Sequence, residues 1–284
     1  MRKITIAILA LILMGMLIPA GFSTDSNVVI TYGETTYANS DFKSNVDSFF
    51  ASQSGLDVNN VDVKIITAEQ VNQVSSGITG KYYNSNQILS SALVDLNDNA
   101  DLKVSVDKSK ITTITGQMYI SALKSAGITS GHVYVTSPVE ATGESALAGI
   151  MNSYEEVTDV EIPDSVKEAA NDEIYTEAEI VDNSGVDPDA LSDLVTQVKE
   201  EVASDNVTDH DTIVNIINNY VQTNNINITN TDIENLADTI EQVQNVQGDV
   251  SYYKDQVGDI LNNTSNGEFS IDGLLDWIRS FTGI

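Results

Sequence analysis

The sequence contains no cysteine, so no disulfide braces the fold and thiol chemistry is closed to it. Histidine is nearly as scarce: His132 and His210 are the only two. Two separated imidazoles fall short of the three or four ligands that a zinc site takes. Tryptophan occurs once and proline four times. Basic residues number 13 against 42 acidic ones, a formal net charge of −29. A surface of that sign repels nucleic acid and anionic lipid head groups; it suits cations, basic partners or solubility in a salty exterior. Long apolar runs are missing too, with one exception at the N-terminus.

That exception reads as a secretory signal. Arg2 and Lys3 form a positive n-region, Ile4 to Ile18 is almost wholly apolar, and Pro19, Ala20, Gly21, Phe22 and Ser23 supply small residues at the usual cleavage position. The run is short for a membrane span, which needs about 20 residues. The expectation is a signal peptide over residues 1–23 and a secreted or envelope-associated mature chain. Membrane attachment would come only through an uncleaved signal segment.

The charge divides the remainder. From Thr158 onward there are 27 acidic and 4 basic residues; the stretch before it holds the other 15 and 9. The patterning changes at the same place. In the front part, Val28–Tyr32 is β-rich, and Phe42, Val46, Phe49 and Phe50 recur at helical spacing behind Ser40, the expected N-cap. Val61, Val63 and Ile65 alternate with polar residues as a half-buried strand. Ile88–Leu96 and Leu102–Val106 flank a polar stretch and suggest a hairpin. Met118–Ala126 reads as a helix ending at Gly127, Val133 and Val135 as a strand, and Ser145–Tyr154 as another helix. Helix, Gly55-Leu56 and Val61-x-Val63 repeat 72 positions later as helix, Gly127-Ile128 and Val133-x-Val135, which suggests two related helix–strand units on one mixed sheet.

The back part carries no strand signal. Amphipathic windows run through Ser165–Ile180, Pro188–Ala203, Asp209–Gln222, Asp232–Val246 and Val250–Leu261, a helical bundle pattern. The fold class expected is α+β: a mixed sheet with packed helices over residues 24–157, followed by an acidic helical region over 158–284. That region ends in an amphipathic segment where Leu274, Leu275, Ile278 and Phe281, with Trp277 beside them, form a face for packing or for docking a protein partner.

A set of longer stretches carries a family likeness. They are Gln87-Ile88-x-Ser90-Ser91-Ala92, Met118-Tyr119-x-x-Ala122-Leu123-x-x-Ala126-Gly127, Val133-x-Val135-Thr136-x-Pro138, and Gly143-x-x-Ala146-Leu147-x-Gly149-Ile150. Val166-Lys167, Ala169-Ala170 and Glu173 continue the series. In these the chain resembles the YpuA-like secreted proteins, a family of unknown function from Gram-positive bacteria and some archaea. It departs from the pattern in having Thr142-Gly143 where such relatives tend to carry Ser-Gly. The resemblance implies a signal peptide and export, and no known activity, ligand or catalytic residue.

Fragments of catalytic motifs do not assemble. Ser121-x-x-Lys124 and Ser204-Asp205-Asn206 match two of three motifs of penicillin-recognising enzymes, but K-T-G is absent. Gly143-Glu-Ser145 lacks the second glycine of a nucleophile elbow, and Ser145 reads better as a first-turn serine. Asp95-x-Asn97-x-Asn99 opens like a calcium loop, yet Val106 stands where the bidentate glutamate belongs. Asn206, Asn227, Asn262 and Asn263 head glycosylation sequons. No catalytic residue, metal or cofactor is therefore expected. The loop holding Pro138, Thr142, Gly143 and Ser145 is the ligand-site candidate, because binding residues concentrate on loops held by a scaffold. The functional expectation is a non-catalytic binding or structural protein of the cell exterior, partnered by an envelope protein or polymer. The alternative is an envelope hydrolase working on wall polymer through two carboxylates about 5–10 Å apart in a deep pocket.

Overall fold

The computed structural model describes residues 25–75, 80, 82–97 and 101–264. The expected signal segment and the expected amphipathic segment with Trp277 lie outside them. The elements run β1 (Asp25–Gly33), α1 (Glu34–Ala38), α2 (Ser40–Ser54), β2 (Val61–Ile66), α3 (Ala68–Ser75), β3 (Ser91–Asp95), β4 (Lys103–Val106), α4 (Gly116–Ser125), β5 (His132–Thr136) and α5 (Ser145–Thr158). Five helices follow: α6 (Asp164–Ser184), α7 (Pro188–Ser204), α8 (His210–Asn224), α9 (Asn230–Asn245) and α10 (Gln247–Thr264). The fold is α+β, as the sequence indicated.

The sheet has the order β2-β1-β3-β5-β4. β1 is parallel to β2 and β5 to β4, while β3 runs antiparallel to both β1 and β5. The expected hairpin between β3 and β4 is therefore wrong, since β5 inserts between them. Burial explains the order. β3 and β5 are buried almost throughout, so each needs a strand on both sides, whereas half-exposed β4 suits an edge. The 72-residue offset marks two units in which a helix and a left-handed glycine feed a strand parallel to the one before the helix. Their helices lie on opposite faces.

Period-two alternation separates those faces. Val28, Ile30, Tyr32, Leu93 and Tyr134 pack under Val46 and Phe50 of α2. Ala92, Val94, Val133 and Val135 face the other way, onto α4 and α5, and that core continues without a break through Val166, Leu191, Leu194, Ile213 and Ile240 of the helical part. Each large apolar side chain so buried contributes about 1.5–3 kcal/mol. Helix α5 reaches the sheet closely because Gly149 has no Cβ; one there would stand 2.9 Å from Thr31 Cγ2. Thr31 and Ser153 share a 2.7 Å hydroxyl hydrogen bond across the same contact.

Every amphipathic window of the back part is a helix. Asp187, Asp209 and Thr229 cap α7, α8 and α9 by accepting from the third helical N–H, and Pro188 occupies the first turn of α7. At α2 the cap is one residue earlier than expected. Asn39, held extended, accepts from the N–H groups of Asp41 and Phe42, and Ser40 is the first helical residue.

Candidate functional site

Three helices bring together a cluster that the sequence separates widely. Ser121 and Ser125 are successive turns of one face of α4, Glu173 lies mid-helix in α6, and Lys199 lies near the end of α7. The Lys199 ammonium donates to Glu173 Oε1 at 2.7 Å, to Ser125 Oγ at 2.7 Å and to Ser121 Oγ at 2.9 Å, and it also reaches the Ser121 carbonyl at 3.2 Å. Both hydroxyls donate onward to the carboxylate, Ser121 to Oε1 at 2.5 Å and Ser125 to Oε2 at 2.6 Å. The Glu173 side chain is 1% exposed and that of Lys199 11%. Both carboxylate oxygens and every ammonium proton are thereby engaged, which is the condition for keeping a charged pair in a dry place.

One turn along α6, Glu177 is fully buried and neither of its oxygens has a hydrogen-bond partner. Burial first, and then the negative charge of Glu173, push its carboxyl well above the usual range, against a smaller opposing pull from Lys199. Burial thus favours the neutral form of Glu177, and Lys199 and Glu173 offset each other beside it.

This cluster floors a cleft of about 540 Å³ between α4, the second half of α7, Tyr220 of α8, the end of α9 and Gln247 at the start of α10. The volume lies within the range of small-ligand sites, about 300–1,000 Å³. Ile120, Val202, Ile240 and Val243 make its apolar wall, and Gln117 and Gln244 bring side-chain amides to it. Lys199 is already offset by Glu173, so the remaining charges of the lining are Lys124 against Glu200 and Glu201, one positive to two negative. Ser121, Ser125 and Lys199 reach it, whereas Glu173 and Glu177 stay behind them.

Residues 32–260 match the family described as "Protein of unknown function (DUF1002)". The chain belongs to that family. It is also 29% identical over 264 residues to "Uncharacterized protein YpuA" of Bacillus subtilis (strain 168), an alignment covering 90% of this chain and 87% of that one. No solved structure matches it at a significant level. Nothing in these names assigns the DUF1002 fold a ligand or a reaction.

The loop singled out in the sequence of this DUF1002 chain lies away from the cleft lining. Pro138, Gly143 and Ser145 are buried and Thr142 is exposed. The Gly143 carbonyl accepts from Tyr119 Oη at 2.6 Å, and Thr142 donates its hydroxyl to Glu144. Backbone bonds from Thr112 to Ala141 and from Ile114 to Thr142 pin the segment down. Glu144 faces a group of tyrosines; burial, and after it this carboxylate, push Tyr83 up to about 12. Leu274, Leu275, Trp277, Ile278 and Phe281 lie outside the described residues. Ser121 does meet a lysine, but it is Lys199 and not the Lys124 of the S-x-x-K match.

The two histidines sit in separate groupings. His132 is hydrogen-bonded to Ser105 at 2.9 Å and stacked on Tyr134. His210 faces a stripe of carboxylates on α9, Glu234 at 3.1 Å, Glu241 at 3.3 Å and Asp238 at 3.4 Å. Glu234, foremost, holds the His210 imidazolium above its usual range. Among the described residues, His210, Asp238 and Glu241 have ligand atoms within 4.8 Å of one another, close enough to share a divalent cation. Among the described residues no helix is long and apolar enough to cross a membrane.

The sequence left Glu173, Ser125 and Lys199 unmarked as site residues, although a signal was there. Glu173 and Glu177 occupy positions of α6 that otherwise carry Val166, Ala169, Ala170 and Ala178, and Lys199 abuts Val195, Val198 and Val202 on α7. Charges of opposite sign on the apolar stripes of two neighbouring helices point to a buried pair.

Proposed function

We propose that this DUF1002 chain is an exported binding protein of the cell envelope, and that the cleft between α4, α7 and α9 is its ligand seat. Export rests on the n-region, apolar run and small-residue site of residues 1–23. The single observation that carries the binding reading is the cleft itself, a ligand-sized hollow with an apolar wall, free amide groups and a floor whose charges are already satisfied. A self-neutralised floor lets an uncharged or singly charged ligand enter without stranding a buried charge. The carboxylate-hydrolase alternative is less well supported. Glu200 and Glu201, which reach the cleft, are neighbours on one helix and do not face each other across a substrate.

The test uses the mature chain from residue 24 and soluble fragments of enzymatically digested wall polymer. Thr196 is exposed at the cleft, so Thr196→Trp obstructs it without disturbing buried residues. Fragments retained by the parent chain and lost by a Thr196→Trp variant of unchanged melting temperature support the reading. Equal retention by both, or retention by neither, contradicts it.

A further inference from the structure

We infer that the ligand of this cleft is a short peptide with a free C-terminal carboxylate, and that Lys124 receives that carboxylate; the inference rests on the cleft being the ligand seat. The two lysines that line the cleft are in opposite situations. Lys199 is saturated by Glu173, Ser121 and Ser125. Lys124, on the last turn of α4, is exposed, and its ammonium has no hydrogen-bond or ion-pair partner among the described residues. Acidic residues outnumber basic ones by 42 to 13, and Lys43 is paired with Asp47, Lys64 with Glu156, and Lys167 with Glu155 and Asp164; among the described residues Lys108 and Lys110 are open like Lys124, but of these three only Lys124 lines the cleft. A lysine left open at the rim of a hollow is thus a ready counter-charge for an anion that enters it.

The rest of the lining sets the kind of anion. Glu200 and Glu201 stand in the same wall and oppose a dianion such as phosphate, so a singly charged carboxylate fits better. Gln117 lies on the same face of α4 as Lys124, and Gln244 lies on α9; neither side-chain amide has a partner among the described residues. Each offers both a donor and an acceptor, the complement of a peptide group's C=O and N–H. Ile120, Ile240 and Val243 offer apolar surface for small aliphatic side chains. Lys124 also sits where a cation suits the helix dipole. A purely local role of that kind makes no distinction between ligands, which is what the experiment reads.

The mature chain is titrated calorimetrically with N-acetyl-trialanine as the free acid and as its C-terminal carboxamide. The acid should bind about tenfold tighter, as a charge-assisted contact contributes. Lys124→Gln should erase that difference and leave the amide's affinity unchanged. Lys108→Gln, at an exposed lysine outside the cleft lining, should leave both affinities alone. Equal binding of acid and amide, still abolished by Thr196→Trp, overturns carboxylate recognition while leaving the cleft as the seat. Absence of binding by either peptide, with wall fragments still captured, overturns the peptide class alone. Inorganic phosphate competing as well as the acid peptide overturns it as well.

Discussion

Replacing Lys199 by methionine keeps most of the aliphatic stem and removes the charge that Glu173 faces. The carboxylate is then left at 1% exposure with Ser121 and Ser125 as its only donors, one turn from Glu177. Breaking one side of a buried pair costs about 3–5 kcal/mol, because a charge is stranded in a medium that cannot solvate it. The two serine bonds survive, which places the expected loss near the lower end, about 3 kcal/mol. That is a large share of a domain's total of about 5–15 kcal/mol, yet it leaves the protein folded. Adding Glu173→Gln removes the stranded charge, so the double variant should regain about 2 kcal/mol of the loss. Urea unfolding followed by far-UV circular dichroism measures both, with the slope checked for constancy across variants. A loss below about 1 kcal/mol for Lys199→Met would mean that water reaches the pair and the cluster is not dry. Additive losses in the double variant would refute the coupling itself.

Other expectations follow from the same contacts. Glu177 binds its proton more tightly folded than unfolded, so native stability falls as pH rises above the unfolded carboxyl value of about 4.3; Glu177→Gln should stabilise the protein at pH 7 and flatten its pH profile from 4 to 7, and unchanged melting curves at both pH values would show an ionised, hydrated Glu177. Burial pulls Lys254 down to about 7, so the folded state sheds a proton that the unfolded lysine keeps to about 10.4, and stability should rise from pH 7 to pH 9; a Lys254→Met variant with the same rise would place the cause elsewhere. Gly143 holds φ +116, and a Cβ there would lie 2.8 Å from Ile111 Cγ2 and 2.9 Å from Tyr119 Oη, so Gly143→Ala should cost at least about 1–3 kcal/mol in the same urea assay; a cost under 0.5 kcal/mol, roughly the level of a neutral surface change, would show that the loop yields. With 27 acidic against 4 basic residues from Thr158 onward, raising sodium chloride to about 1 M, where screening acts within about 3 Å, should raise the melting temperature; no change would mean that the charges are already well separated.

Much of the fold was legible because its signals are local. Caps such as Asp187-Pro188 and the apolar stripes of α7, α8 and α9 act within a few turns, and the helical part followed them. Strand order is a different kind of property. Whether Leu102–Val106 pairs with the strand before it or with one 30 positions later depends on which strand requires two covered sides, and that is settled by total burial of the sheet. The one-residue displacement of the α2 cap arose because Asn39 and Ser40 are both competent caps and only the backbone bend decides between them. The site was less legible still. The S-x-x-K spacing drew attention to Ser121, but its partners come from α6 and α7, 52 and 78 positions away. Separations of that size leave no spacing to read, only the oddity of charges on apolar stripes.

The central claim, that the cleft in the helical part receives the ligand, is tested most directly by hydrogen–deuterium exchange of the mature chain with and without its captured wall fragments. The account expects slower exchange in the peptides over residues 117–125, 196–204 and 240–247, with residues 138–145 unchanged. Slowing confined to residues 138–145, with the three cleft segments unaltered, would contradict it and move the ligand to the loop of Thr142 and Gly143.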